Sequence, residues 1–335
     1  MRGILDGKVA VVTGSGQGVG RGVALLLARE GARVVTNNRK PRANEASETR
    51  FRSSALAGAH PEFTDVETQT LTELNGDANT VAAEIITEGG ESIACFGDVS
   101  DYDAAGELIQ TAVEHFGRID ILVNNAAGLG FGPFSTLSRD DWQYQLRPKL
   151  DGAFNTMQHA VPHMISQGYG RVLNAASDAW IGIAALSAYS AANSGVVGLT
   201  KSTAKELFRH GITVNAFAPQ AESPGHLSFN ATLRAMLDAQ GVVIADEERM
   251  RASEEAHGPA DNLTFLAYLA SEEASEISGA VFSVTGGGDV ALYSEPRHLA
   301  SITKKGSAWT MAEFRDEVPT KLLADYVSIA KVSEF

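Results

Sequence analysis

Four glycines recur at alternate positions near the start of the chain, where they could hold a phosphate group. They lie between an apolar stretch, Lys8–Thr13, which predicts a buried strand, and an amphipathic stretch, Gly20–Glu30, which predicts a helix. Glycines at such a junction permit a tight turn and a close approach of the backbone to a diphosphate, which the helix N-terminus then faces. We therefore predict a nucleotide site; the alternative is a glycine-rich turn that binds nothing. The four residues are Gly14, Gly16, Gly18 and Gly20.

The end of the second predicted strand, Arg33–Asn37, bears on which dinucleotide is bound. An acidic side chain there hydrogen-bonds the adenosine ribose and selects NAD, but this chain continues with Asn38, Arg39 and Lys40. A guanidinium can hold a 2′-phosphate through paired hydrogen bonds. We therefore expect NADP(H) to be favoured over NAD(H). The alternative is that Arg39 and Lys40 only begin a solvated insertion.

Two downstream segments complete a recognisable set of motifs. The glycine turn has the spacing T-G-x-x-x-G-x-G, with Val19 in its hydrophobic slot, rather than G-x-G-x-x-G. Asn124-Asn125-Ala126-Ala127-Gly128 follows the fourth predicted strand, and Ser177 stands twelve residues before Tyr189-Ser-Ala-Ala-Asn193. Over about residues 4–288 the set resembles the short-chain dehydrogenase/reductase family, whose members transfer hydride with a nicotinamide cofactor.

The resemblance implies which residues contact that cofactor. They come from the glycine turn, from the ends of the next strands, from the tyrosine helix and from the segment after the sixth strand. The expected set is Gly14, Ser15, Gln17, Gly18, Val19, Gly20, Asn38, Arg39, Asp98, Val99, Asn125, Ala126, Ala127, Tyr189, Asn193, Pro219 and Ser223.

The resemblance also implies the catalytic groups, and here the chain departs from the family twice. Tyr189 would be the acid/base of hydride transfer and Ser177 the positioning hydroxyl, with Ser187 as the alternative serine. The family places lysine four residues after the tyrosine, where this chain has Asn193. Alignment on Gly152-Ala-Phe154 puts Lys149 where the family has asparagine.

The two departures have opposite senses, so two hypotheses follow. A free phenol titrates near ~10, and a nearby ammonium makes the phenolate accessible. Lys149 could supply the charge that Asn193 lacks, which makes all four residues, Ser177, Tyr189, Lys149 and Asn193, candidate catalytic groups. Alternatively, Lys149 extends to solvent and the site is inactive.

Alternating apolar strands and helical stretches predict an α/β fold, a doubly wound parallel sheet of the Rossmann type. We expect about seven strands with helices on both faces. Residues 1–288 would form one dehydrogenase domain, interrupted by a long polar insertion at 39–76 and by a mobile substrate lid at 220–258. Residues 289–335 would be a C-terminal extension that packs on the domain or on a partner subunit.

Composition excludes several classes of partner. The net charge of −14 disfavours nucleic acid and anionic membranes. Cys95 is the only cysteine, which fits a reducing compartment, and no signal peptide is evident, so we expect a cytoplasmic protein. No metal-ligand cluster is apparent. We expect a homo-oligomer, dimer or tetramer, built partly on two predicted helices, Asp140–His163 and Ala188–His210, or alternatively a hetero-oligomer with a homologous subunit. The small and apolar residues that would permit close packing of these helices are Ala191, Ala192, Gly195, Val196, Val197 and Gly198.

Three features suggest a closer resemblance within the family. Pro219-Gln220-Ala221 departs from the usual Pro-Gly, the insertion at 39–76 is long, and a tail follows Gly288. These features resemble the (3R)-hydroxyacyl-CoA dehydrogenase unit of multifunctional enzymes. The expected reaction interconverts a secondary alcohol and a ketone, with a 3-hydroxyacyl-CoA thioester as one candidate substrate. The alternative is a non-catalytic subunit that binds nucleotide or stabilises an active homologue.

Overall fold

The computed structural model describes residues 3–41, 52–53, 65–73, 76–227, 231, 257–304, 308–326 and 328. The chain divides into two compact units, Met1–Tyr293 and Ser294–Phe335. None of the described helices combines the length and the apolar character needed to cross a bilayer.

The first unit is built on one large sheet, and the strands lie close to their predicted positions. The described strands are β1 (Val9–Val12), β2 (Arg33–Asn38), β3 (Arg52–Ser53), β4 (Ser92–Phe96), β5 (Ile121–Asn124), β6 (Gly130–Phe131), β7 (Gly170–Ala175), β8 (Ile212–Gln220), β9 (Val281–Thr285) and β10 (Val290–Leu292). The sheet order is β10-β9-β8-β7-β5-β1-β2-β4. Every pairing is parallel except that of β10 with β9. The predicted doubly wound parallel sheet is confirmed, and β10 is an addition that the sequence pattern did not show.

Helices connect the strands on both faces of the sheet. The described helices are α1 (Gly18–Arg29), α2 (Asp65–Glu73), α3 (Ala78–Thr87), α4 (Tyr102–Phe116), α5 (Arg139–Leu146), α6 (Gly152–Gln167), α7 (Ser187–Leu207), α8 (Phe265–Ala270) and α9 (Met311–Glu317). Helix α3 was not predicted, although Asp77 and Thr80 form a capping box at its start.

Two apolar cores hold the helices to the sheet, because alternate strand residues point to opposite faces. Ala10 and Val12 pack with α1, α3 and α8. Val9 and Val11 pack with α4, α6 and α7. Because helices cover both faces of the sheet, a ligand site is left at the carboxyl ends of the strands.

One prediction about the elements was wrong. The stretch Asp140–His163 is not one helix: α5 ends at Leu146, a π-helical turn spans Arg147–Asp151, and α6 follows. The insertion at 39–76 contains short regular elements, namely β3, which pairs with β6, and α2. Most of the predicted lid at 220–258 lies outside the described residues.

The second unit is small and contains α9 followed by a π-helical turn, Val318–Leu322. Thr310 and Glu313 form a capping box at the start of α9, and Lys304 lies 2.7 Å from the Glu313 carboxylate. Trp309 stacks on Phe314 with ring centroids 5.4 Å apart. That this extension packs on the domain or on a partner stays a prediction.

Candidate active site

A cavity of about 1250 Å³ opens at the carboxyl ends of the parallel strands. Most of the residues expected to bind cofactor line it, together with Lys149, Ser177 and Tyr189. Three expected residues, Ser15, Gly20 and Asn193, do not line it. The lining members of the expected set are Gly14, Gln17, Gly18, Val19, Asn38, Arg39, Asp98, Val99, Asn125, Ala126, Ala127, Lys149, Ser177, Tyr189, Pro219 and Ser223.

The glycine turn forms one wall and has the tightness that a diphosphate cradle requires. Gly14 and Gly18 have positive φ angles of 62° and 53°, which favour glycine. A Cβ on Gly18 would lie 2.9 Å from the Ser223 Cβ, and one on Gly20 would lie 2.3 Å from the Gly14 carbonyl oxygen. Gly20 therefore acts through packing. Ser15 is also structural, because its hydroxyl accepts a hydrogen bond from the Asn37 N–H at 2.8 Å.

Thr13 ties this wall to the loop after β5. Its hydroxyl accepts hydrogen bonds from the backbone N–H groups of Asn125, at 2.9 Å, and Ala126, at 3.0 Å. The side-chain amide of Asn125 donates through Nδ2 to the carbonyl oxygens of Thr13 and Gly14, both at 3.2 Å. The two loops thus form one rigid surface on which a nucleotide can lie.

At the far end of this wall, Asn38, Arg39 and Lys40 line the cavity together with Asp77. The Asn38 Oδ1 is buried and has no hydrogen-bond donor among the described residues. Asp77 was missed from the sequence. Its capping box with Thr80 could have revealed a helix start, but only the fold brings that start against Gly16, where an added Cβ would lie 2.5 Å from the Asp77 Cα.

Ser177 and Tyr189 meet at the other end of the cavity. Ser177 follows β7 and caps a 3₁₀ turn, Asp178–Ile181, by accepting a hydrogen bond from the Ala179 N–H at 3.3 Å. Burial raises the pKa of the Tyr189 phenol, and hydrogen bonding with Ser177 and Asn193 partly offsets this. Ser187 begins α7 and does not line the cavity, so Ser177 is the serine beside the tyrosine.

Asn193 lies one turn after Tyr189 and is fully buried. Its Nδ2 donates to the Tyr189 carbonyl oxygen at 2.8 Å, an i, i+4 bond within α7. Its Oδ1 has no partner in the described part of the chain. The side chain therefore supports the tyrosine from behind rather than facing the cavity.

Lys149 reaches the cavity from the π-helical turn. Pro148 has no N–H to donate to the Tyr144 carbonyl, so the regular helical ladder is interrupted there, and π turns are frequent at functional sites. Lys149 is 4% exposed. Burial lowers its pKa from 10.5 to about 7. Its amine makes no hydrogen bond or ion pair with the described residues.

The Tyr189 phenol, the Ser177 hydroxyl and the buried Lys149 amine therefore share one cavity with the tight glycine turn. This arrangement can pass a proton to or from an oxygen atom that lies beside Ser177 and Tyr189. Among the described residues, no three His, Cys, Asp or Glu side chains are placed to hold a metal ion.

Comparisons with known proteins agree with this geometry. The family model for short chain dehydrogenases matches residues 63–226. A 3-oxoacyl-[acyl-carrier-protein] reductase from Synechocystis is 34% identical over 84% of this chain and 97% of the relative. A crystal structure of a short chain dehydrogenase from Mycobacterium avium superposes with a TM-score of 0.73 at 32% identity, covering 97% of this chain and 98% of that one.

A further relative, (2S)-[(R)-hydroxy(phenyl)methyl]succinyl-CoA dehydrogenase subunit BbsD from Thauera aromatica, is 33% identical over 64% of this chain and 73% of its own length. The expected closeness to (3R)-hydroxyacyl-CoA dehydrogenase units is not borne out, since the similar proteins include 3-oxoacyl-[acyl-carrier-protein] reductases instead. The comparisons do not bear on the two departures from the family pattern, which are identified from this chain's sequence alone: lysine at position 149 and asparagine at position 193.

Proposed function

Because this chain belongs to the short-chain dehydrogenase/reductase family and is an oxidoreductase, we propose that it interconverts a 3-oxoacyl thioester and the corresponding 3-hydroxyacyl thioester. The observation that carries the proposal is that Ser177 and Tyr189 share one cavity with the Gly14–Val19 turn. The names of the relatives, which include an acyl-carrier-protein and a CoA thioester, support this substrate class.

A nicotinamide dinucleotide, when bound, supplies or accepts the hydride. The residues of the glycine turn and the loop after β5 would hold it. A Cβ at Gly18 or Gly20 would clash with neighbouring atoms, so the turn has no side chains at these positions and a diphosphate can approach its backbone closely. Ser177 donates a hydrogen bond to the substrate carbonyl oxygen and holds it beside Tyr189. The Tyr189 hydroxyl then gives its proton to that oxygen during reduction and takes it back during oxidation.

Lys149 supports this proton transfer electrostatically. Desolvation raises the pKa of Tyr189, so a phenolate in the cavity needs a cation. Asn193 offers a hydrogen bond but no charge. Lys149 is the buried amine that lines the same cavity, and an anion at Tyr189 would in turn favour its protonated form.

The experiment measures NADPH and NADH oxidation with acetoacetyl-CoA, and the reverse reaction with 3-hydroxybutyryl-CoA. We expect turnover that falls by at least about a hundredfold in Tyr189→Phe, the usual scale for a lost acid/base. Tyr169→Phe is the matched control, because that hydroxyl bonds the Ala270 carbonyl oxygen at 3.2 Å, outside the cavity. Turnover that survives in Tyr189→Phe would contradict the proposal.

The cofactor is proposed to be NADP(H) in preference to NAD(H). Arg39 lines the cavity beside Asn38 and can hold a 2′-phosphate, whereas Asp77 on the same wall opposes it. A charged hydrogen bond contributes ~1.5–3 kcal/mol, so NADPH should bind roughly tenfold or more tightly than NADH.

Fluorescence titration of both nucleotides tests this preference. Arg39→Ala should remove it, and Asp77→Asn should enlarge it, because asparagine also caps helices and removes only the charge. Equal affinities of the parent protein for the two nucleotides would rule the preference out.

A further inference from the structure

The residue after the positioning serine is held by three separate elements. Asp178 accepts hydrogen bonds at Oδ2 from the Gln220 amide and, at 3.5 Å, from the Ser283 hydroxyl, and at Oδ1 from the Tyr293 hydroxyl. Gln220 ends β8, Ser283 lies in β9, and Tyr293 follows β10. The carboxylate thus joins the 3₁₀ turn that Ser177 caps to the ends of three neighbouring strands.

Two of these donors, Gln220 and Tyr293, have distinct origins in the fold. Gln220 stands directly after Pro219, where many members of the family have glycine and could make no such bond. Tyr293 is brought into place by β10, which pairs with β9 through Val290↔Val284 and Leu292↔Phe282, and the pairing continues as the Tyr293 N–H donates to the Val281 carbonyl oxygen at 2.9 Å.

The surroundings of Tyr293 keep its hydroxyl a donor. Burial, together with the bond to Asp178, raises the pKa of the Tyr293 phenol well above its usual range. Its ring packs edge-on against Trp180, with centroids 5.3 Å apart at 84°, and both rings lie on an apolar cluster that includes Ala176 and Val281. The turn from Asp178 to Ile181 is therefore held by a polar bond and by ring packing at once.

We propose that Gln220 and Tyr293 are positioning residues for Ser177: by fixing Asp178 they fix the turn from which the serine hydroxyl faces the substrate oxygen. The role of Ser177 as the positioning hydroxyl rests on the proposed function. The fixing of the turn Asp178–Ile181 by Gln220 and Tyr293 does not depend on that function. A displacement of about 1 Å in such a group can cost up to a hundredfold in rate.

Tyr293→Phe tests the proposal by removing one oxygen atom. We expect kcat with acetoacetyl-CoA to fall about tenfold, with unchanged nucleotide affinity, and amide hydrogen exchange at residues 178–182 to accelerate in the protein without ligands. Tyr169→Phe, which also loses a tyrosine hydrogen bond in the same unit, should change neither. Unchanged kcat and unchanged exchange in Tyr293→Phe would overturn the proposal.

An exchange of partners separates positioning from general stability. Gln220→Glu places a carboxylate opposite the Asp178 carboxylate and should lower kcat, and the addition of Asp178→Asn restores a donor–acceptor pair and should recover most of it. Failure of the double variant to recover kcat or slow exchange, although folded, would refute the role of Gln220. If the parent protein reduces no thioester, the proposed function fails, while the exchange measurements still decide whether Tyr293 and Gln220 hold the turn.

Discussion

A buried amine at Lys149 can assist Tyr189 only while it carries a proton. Its pKa of about 7 in the folded protein means that the charge is present below neutral pH and declines above it, unless an anion forms beside it. Tyr189 provides that anion when it gives up its proton. We propose that the two groups are coupled, so that ionisation of the phenol and protonation of the amine favour each other.

Substitution of Lys149 and Asn193, the two residues that depart from the family pattern, tests this coupling. Lys149→Ala should lower kcat about as much as Tyr189→Phe, by at least about a hundredfold, with a smaller effect on nucleotide affinity. Lys149→Asn combined with Asn193→Lys restores the family's arrangement and should recover part of the activity. If the parent is inactive and Asn193→Lys alone creates turnover, the site has lost its function.

The same burial predicts an unusual pH dependence of stability. The pKa of Lys149 is lowered from 10.5 to about 7. A shift of this size corresponds to about 5 kcal/mol by which the charged amine destabilises the folded state relative to the unfolded chain. Below pH 7 the folded state holds a desolvated charge that the unfolded chain exposes to water; above pH 10.5 both states are neutral. Stability therefore rises from pH 7 towards pH 10.5 through this residue.

Lys149→Met should consequently raise the melting temperature, strongly at pH 6 and much less at pH 9.5. Thermal unfolding without cofactor at both pH values measures this, with Lys205→Met as the control because Lys205 is exposed. A gain that is equal at both pH values would show that the lysine is not buried in its charged form.

At the scale of elements, the π-helical turn is what brings Lys149 to the cavity. Pro148 has no N–H to donate to the Tyr144 carbonyl, and that carbonyl packs on Gly128, where an added Cβ would lie 2.3 Å away. The turn Arg147–Asp151 thus joins α5 to α6 with an altered register.

Pro148→Ala restores an N–H and should allow a regular helix, so we expect higher stability but lower kcat as Lys149 rotates away. Pro162→Ala is the matched control: Pro162 also interrupts a helix, α6, but is exposed and outside the cavity. It should raise stability without lowering kcat. Equal kcat in Pro148→Ala and the parent would argue that the turn does not position the amine.

These elements also show how far the sequence can be interpreted. Apolar runs such as Val9–Val12 predict the parallel strands because each is buried on both faces. The π turn escaped prediction because Pro148 indicates that a helix is interrupted but not that the chain continues as a π turn into α6. β10 escaped because its three residues are exposed and carry no burial pattern. The place of Asp77 beside Gly16 depends on a long insertion whose path no local pattern gives.

At the scale of the whole molecule, the exposed apolar side chains bear on assembly. Of the residues expected at a subunit contact, Ala192, Val196 and Val197 are buried within their own subunit, so that part of the expectation was wrong. Ala191 and Gly198 are exposed, and a Cβ on Gly198 would meet no atom within 4 Å.

Helix α6 contributes a larger apolar group to the outer surface, since Phe154 is 45% exposed. A second copy of the chain that packed on α6 and α7 would remove such a side chain from water, which is worth up to about 3 kcal/mol for a fully buried aromatic ring. We therefore predict a dimer or tetramer.

Light scattering at micromolar concentration should give a multiple of the 35.4 kDa chain mass. Phe154→Asp, which places a charge in the contact, should shift the mass towards the monomer, whereas Phe134→Asp, at an equally apolar and 75% exposed position outside these helices, should not. A monomeric mass for the parent would exclude assembly, and a multimer unaffected by Phe154→Asp would place the contact on another face.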